Sequence, residues 1–107
     1  MLRIALAQSN YHVGNLDFNK KIILDKIHQS INQNIDLLVF SELAICGYPP
    51  LDLLNYHHFI ESCNQALAEI AVECKNISVI IGAPTMNPDI NGKNLFNSAV
   101  LLQNGEI

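Results

Sequence analysis

An apolar run at residues 37–40 ends at Ser41-Glu42, and a Gly-Tyr-Pro-Pro sequence follows from Gly47. The run reads as the end of a buried strand. Two successive prolines cannot continue a strand or a helix, and each pushes the residue before it toward extended backbone. The chain must therefore stop a strand, place one carboxylate and turn, all within a few residues. In open α/β sheets, ligands bind at such strand ends. Glu42 is thus a candidate site residue, expected to face a shared cleft and not bulk water. The plainer alternative is a solvated loop carboxylate or a helix-cap acid, since exposed Glu is the rule.

The rest of the chain supplies elements around that point. Residues 2–8 read as a first strand, apolar at nearly every position, as for a strand buried on both faces. A loop with Gly14 follows, and Asn15 or Asp17 can cap the next helix. There Leu16, Ile23, Leu24, Ile27 and Ile31 form an apolar stripe, with Lys20, Lys21, Asp25 and Lys26 mostly opposite. Asn32 or Asn34 should end it, because Asn tolerates the left-handed conformation of a C-terminal cap. Residues 36–40 form the second strand, and parallel strands joined through a helix make a right-handed unit. A second helix is expected to open at Asn55, with Phe59, Ile60, Cys63, Ala66, Leu67, Ile70, Ala71 and Cys74 as its apolar stripe. The third strand spans 77–82 and ends in Gly82-Ala83-Pro84. A turn-rich loop at 86–93 leads to a fourth strand at 95–102. Asn104-Gly105 is then a strong hairpin signal. A hairpin needs a return strand, and the sequence given ends at Ile107. The pattern is β-α-β-α-β-β, an α/β fold, and the expectation is a truncated one.

Composition narrows the chemistry. The 107 residues carry a net charge of −4, and Lys20-Lys21 is the one basic pair, which argues against nucleic acid and against an anionic membrane surface. Half the residues are apolar, enough for a core, yet no run approaches a membrane span. The apolar N-terminus lacks the basic lead and cleavage pattern of a signal peptide, so a cytoplasmic protein is expected. Cys46, Cys63 and Cys74 are irregularly spaced, with no Cys-x-x-Cys, so neither a zinc site nor a redox pair is suggested. Cys63 and Cys74 read as small core residues. His57 and His58 are adjacent on a first helical turn and diverge, which makes them poor co-ligands. His12 and His28 have no partner that the sequence identifies.

The stretch from Glu42 to Leu54, with Gly47-Tyr48-Pro49-Pro50-Leu51-Asp52-Leu53-Leu54, resembles the first signature of the carbon–nitrogen hydrolase (nitrilase) superfamily. Within it, the stretch is similar to the glutaminase domain of glutamine-dependent NAD synthetases. Ile4-Ala5-Leu6-Ala7-Gln8, Ile80-Ile81-Gly82-Ala83-Pro84 and Leu95-Phe96-Asn97-Ser98-Ala99-Val100 resemble further strands of that family. One departure is Ser41, where the wider superfamily usually has Pro. The resemblance implies the N-terminal portion of a nitrilase-like α-β-β-α sandwich, with residues 1–107 a partial glutamine amidotransferase domain. It implies an inner sheet face that expects a second sheet.

The implied chemistry is hydrolysis of a carbon–nitrogen bond by a Cys, a Glu and a Lys. Glu42 matches the Glu, the general base. The family Lys and Cys come after the hairpin; Cys46 and Lys93 are neither. Tyr48 is implied to line the substrate pocket, and a Tyr packed on prolines is the equal alternative. The implied substrate is glutamine, whose ammonia serves ATP-dependent amidation of deamido-NAD. No cofactor is expected in this chain; ATP and Mg belong to a synthetase domain outside it. The complete enzyme is expected to be a homo-oligomer, and the chain alone inactive and poorly stable or associating. Alternatives are part of another nitrilase-family amidohydrolase, or a non-catalytic α/β association module. A flavodoxin- or receiver-type module needs a phosphate loop or acidic cluster after the first strand, and Gln8-Ser9-Asn10 offers neither.

Overall fold

The computed structural model describes residues 1–89, 92 and 94–107. Strands β1 (Ile4–Ala7), β2 (Leu37–Phe40), β3 (Ser78–Met86) and β4 (Leu95–Leu102) alternate with helices α1 (Leu16–Asn32) and α2 (His57–Val72). The strands form one sheet in the order β1-β2-β3-β4. β1 and β2 pair in parallel, as do β2 and β3, while β3 and β4 are antiparallel.

Both helices lie on one face of this sheet. Successive crossovers of the same hand, moving in one direction, place them there. Ile23 and Ile27 of α1 and Cys63, Leu67 and Ile70 of α2 pack on Leu38, Phe40, Val79, Ile81 and Leu102. The other face is open. There the registers line up Leu6, Val39, Ile80 and Leu101 across all four strands. Leu6 is 73% exposed and Leu101 50%. This corrects the reading of the first strand as buried on both faces. The apolar residues are present, and no element among the described residues covers them. An open apolar face is what the resemblance to a two-sheet sandwich implies for a sheet of this kind.

The element ends follow local chemistry, with two corrections. The Asn15 side chain accepts a hydrogen bond from Phe18 N–H at 3.2 Å and so caps α1. Asn34, just past its end, sits at φ 57°. The second helix does not open at Asn55. Residues Leu51–Asn55 form a 3₁₀ turn, and α2 starts at His57 after Tyr56, which makes no side-chain cap. The third strand does not stop at Gly82. It continues to Met86, because β4 pairs with it through Pro84↔Asn97 and Met86↔Leu95. β2 leaves β3 after Ile80, so the missing N–H of Pro84 lies where β3 is paired on one side only. The turn after β4 forms as expected: Asn104 and Gly105 take φ 55° and 81°, and Gln103 pairs with Glu106.

Candidate active site

The loop after β2 is compact and buried although it has no regular structure. Leu43, Ala44, Ile45 and Cys46 all lie in the core. Leu43 is held at φ 50°, an uncommon conformation for a non-glycine residue, with a cost of about 1–3 kcal/mol. Its surroundings hold it there. The loop rests on the open side of Gly82: a Cβ at that position would collide with Leu43 N and come within 2.6 Å of Ser41 O. Glycine is required because the loop backbone passes directly over β3. Ile45 N–H reaches Gly82 O, and Gly14 N–H donates to Cys46 O at 2.9 Å.

A second clamp is Asn19 of α1. It is fully buried, one turn before Ile23 on the apolar stripe. Its Oδ1 accepts from His12 N–H at 2.7 Å. Its Nδ2 donates to His12 O at 2.8 Å and to Ile45 O at 3.1 Å. One amide thus satisfies three backbone groups from the loops after β1 and β2, and fixes those loops to each other. The His12 ring stacks on Phe18 with centroids 3.7 Å apart.

Glu42 leaves this platform at the C-terminal end of β2. Asn97 of β4 donates from Nδ2 to Glu42 Oε1 at 2.5 Å. Ser9, Asn10, Tyr11, Ser41, Glu42 and Tyr48 line a recess of about 300 Å³. Glu42 itself is exposed, so the expectation that it would avoid bulk water is not met in this chain. The cause is the open sheet face, on which its loop lies. Tyr48 lines the same recess and is 65% exposed; its bond to Pro49 is cis. The Tyr11 hydroxyl is buried against Ser9 and Ser41 and makes no aligned hydrogen bond. Burial raises its pKa, and the two serine hydroxyls offset part of that rise. A larger hollow of about 480 Å³, lined by Leu54, His57, Ile60 and Met86, contains no carboxylate among its lining residues.

The cysteines are packing residues. All three are free and buried. Burial pushes Cys46 and Cys74 up to about 11 and Cys63 up to about 12. The Cys46 thiol donates weakly to Leu43 O and Gly47 O, and in that setting it stays protonated at neutral pH. His57 and His58 are surface residues facing Glu61 across helical turns. His28 lies 3.6 Å from Glu73. No group of three His, Cys, Asp or Glu among the described residues is placed to hold a metal. No helix among them is long and apolar enough to cross a membrane. Lys93 lies outside the described residues.

Sequence reasoning missed three contributors. Gly82 enters the sequence reading only as a strand-ending residue, and Asn97 only as part of the strand-like stretch from Leu95 to Val100. Asn19 has a sequence signal that went unused: a polar residue four before Ile23, on the buried stripe.

Comparison with known proteins bears on the family and the fold. The Carbon-nitrogen hydrolase family matches residues 3–107. The glutamine-dependent NAD(+) synthetase of Aquifex aeolicus is 35% identical over 109 residues, covering 100% of this chain. That of Xanthomonas campestris is 38% identical over 107 residues, covering 99%. The chain spans 18% and 19% of their lengths. The crystal structure of the Cytophaga hutchinsonii glutamine-dependent NAD(+) synthetase superimposes with TM-score 0.89 at 32% identity, covering 98% of this chain and 17% of that one. An amidase from Nesterenkonia sp. shares the fold at TM-score 0.67 and 24% identity, over 78% of this chain and 32% of its own. With residues 3–107 matched to it and the α/β sheet superimposing on its members, the chain belongs to the carbon–nitrogen hydrolase family.

Proposed function

We propose that this chain is the N-terminal part of a glutamine amidotransferase domain, with Glu42 the general base that hydrolyses the glutamine side-chain amide. The ammonia would supply ATP-dependent amidation of deamido-NAD, as in the synthetases to which the chain is similar. One observation carries the reading. Glu42 projects from a strained, well-anchored loop at a strand end, with one carboxylate oxygen held by Asn97, into a recess that Tyr48 also lines. Tyr48 is read as a substrate contact, which its exposure favours over a ring packed on prolines.

The carboxylate's part can be written out. It accepts the proton of the attacking thiol as sulfur bonds to the amide carbon. It returns that proton to the nitrogen as the C–N bond breaks and ammonia leaves. It then takes a proton from the water that cleaves the thioester, releasing glutamate and restoring the thiol. General-base catalysis of this kind contributes about 10²–10⁴ in rate. The thiol and the oxyanion-stabilising lysine are supplied from outside this chain, since its own thiols are buried and protonated. ATP and Mg act in the synthetase domain, the complete enzyme is a homo-oligomer, and the chain alone releases no ammonia from glutamine.

The test replaces the matched stretch of the Aquifex aeolicus synthetase with residues 1–107 and compares the chimera with its Glu42→Gln form. Glutamine-driven NAD synthesis should fall at least 100-fold while ammonia-driven synthesis stays. Glutamine-driven turnover that survives Glu42→Gln removes the general-base role.

A further inference from the structure

We infer that Asn97 is a positioning residue for Glu42: its side-chain amide holds one carboxylate oxygen and leaves the other free for proton transfer. This rests on the general-base reading above.

The geometry is specific. Asn97 pairs with Pro84 across β3 and β4, on the face that also carries Gly82 and Ala99. That is the face on which the Glu42 loop lies, since Gly82 is the seat for Ser41 and Leu43. Asn97 Nδ2 donates to Glu42 Oε1. Leu43 at φ 50° fixes the backbone just after Glu42. The carboxylate is thus held from two sides, by its own loop and by a strand fifty-five residues away. An amide is suited to this task. It donates a hydrogen bond to a carboxylate and adds no charge, so it orients the base without competing for the proton. A lysine there would form an ion pair, and an aspartate would repel. The neighbouring Ser98 is engaged elsewhere, with Thr85 at 2.6 Å, which braces β4 against β3 next to the contact.

Two measurements test it. The first uses the 107-residue chain and the NMR signals of the Asn97 side-chain amide. They should lie apart from those of a freely solvated amide, and Glu42→Gln should move them. Signals that match a free amide, or that are unchanged in Glu42→Gln, overturn the contact. The second uses the chimera. Asn97→Ala should lower glutamine-driven kcat by about 10- to 100-fold with KM changed less than about twofold, and leave the ammonia-driven rate intact. Asn97→Asp, of equal size, should be worse than Asn97→Ala. If Glu42→Gln is inactive while Asn97→Ala turns over at the parent rate, this inference falls and the general base stands. If Glu42→Gln is fully active, the general-base reading falls and takes the positioning role with it.

Discussion

The loop after β2 and the turn after β4 both end a strand and both force residues to positive φ, yet they are specified differently. In the turn, Asn104 and Gly105 tolerate their φ of 55° and 81° by residue type. The two hydrogen bonds that close it, Gln103 N–H to Glu106 O and Glu106 N–H to Gln103 O, are local, and one more, Gly105 N–H to Cys74 O at 3.3 Å, ties it to the chain just past the end of α2. In the loop, a leucine takes φ 50°, a conformation it does not favour, and the partners that keep it there come from α1 and β3. The turn would form in many contexts; the loop needs this one. Strained backbone beside a candidate catalytic group, held by its surroundings, is the usual arrangement at functional sites.

The contrast can be broken most severely at Asn19. Asn19→Ala strips partners from His12 N–H, His12 O and Ile45 O at once. The expected loss is about 3 kcal/mol or more, read by urea denaturation. Alkylation of Cys46, inside the loop, should accelerate more than that of Cys74, which lies under the turn. A loss below about 1 kcal/mol would mean that the loop does not depend on this clamp. Gly82→Ala comes next. A methyl group there must displace the loop backbone, at about 1–3 kcal/mol. It should also weaken the Asn97–Glu42 contact, detectable in the Asn97 amide signals. An unchanged contact would show that the loop can shift without moving its carboxylate. Gly105→Ala should be milder, about 1 kcal/mol, since the nearest atom to an added methyl is Lys75 Cε at 4.0 Å and conformational strain is the whole penalty. It should leave Cys46 labelling unchanged; equal acceleration at both thiols would erase the contrast between the regions.

A pH dependence sharpens the comparison by touching both regions. An unfolded thiol ionises near about 8.5. Folding raises Cys46 and Cys74 to about 11 and Cys63 to about 12, because burial disfavours the thiolate. The stabilisation is therefore complete below the unfolded value and is lost as pH rises toward the folded ones. The Tm should fall across that alkaline window in circular dichroism melts, and a flat Tm would mean that the thiols ionise freely in the folded chain.

What the sequence showed and what it hid follow the same division. The stripes through Ile23 and Ile27, and through Ile60, Cys63 and Leu67, marked the helices because a period of three to four is a local property. The strand at 95–102 and the Asn-Gly turn were legible for the same reason. Glu42 was legible as a strand-end acid through the prolines that follow. Gly82 was misread because a glycine and a proline close together look like an ending; here the glycine makes room for another segment, and the strand goes on. The partnership of Asn97 with Glu42 has no local trace at all, since it depends on how β3 carries β4 beneath the β2 loop. That the first strand lies bare on one face is likewise a matter of where both helices pack.

The strand order β1-β2-β3-β4 has a consequence for synthesis on the ribosome. Each strand docks on the edge of the one made just before it, so none must wait for a later strand or wedge between two earlier ones. The two parallel pairings each close a long loop through a helix, which is slow, whereas the last is a hairpin across one connection. A nascent chain can therefore lay down β1, β2 and β3 in turn while translation proceeds. Glu42 would leave the ribosome before either of the two strands that later seat and hold it, and its final orientation would be set only when β4 emerges.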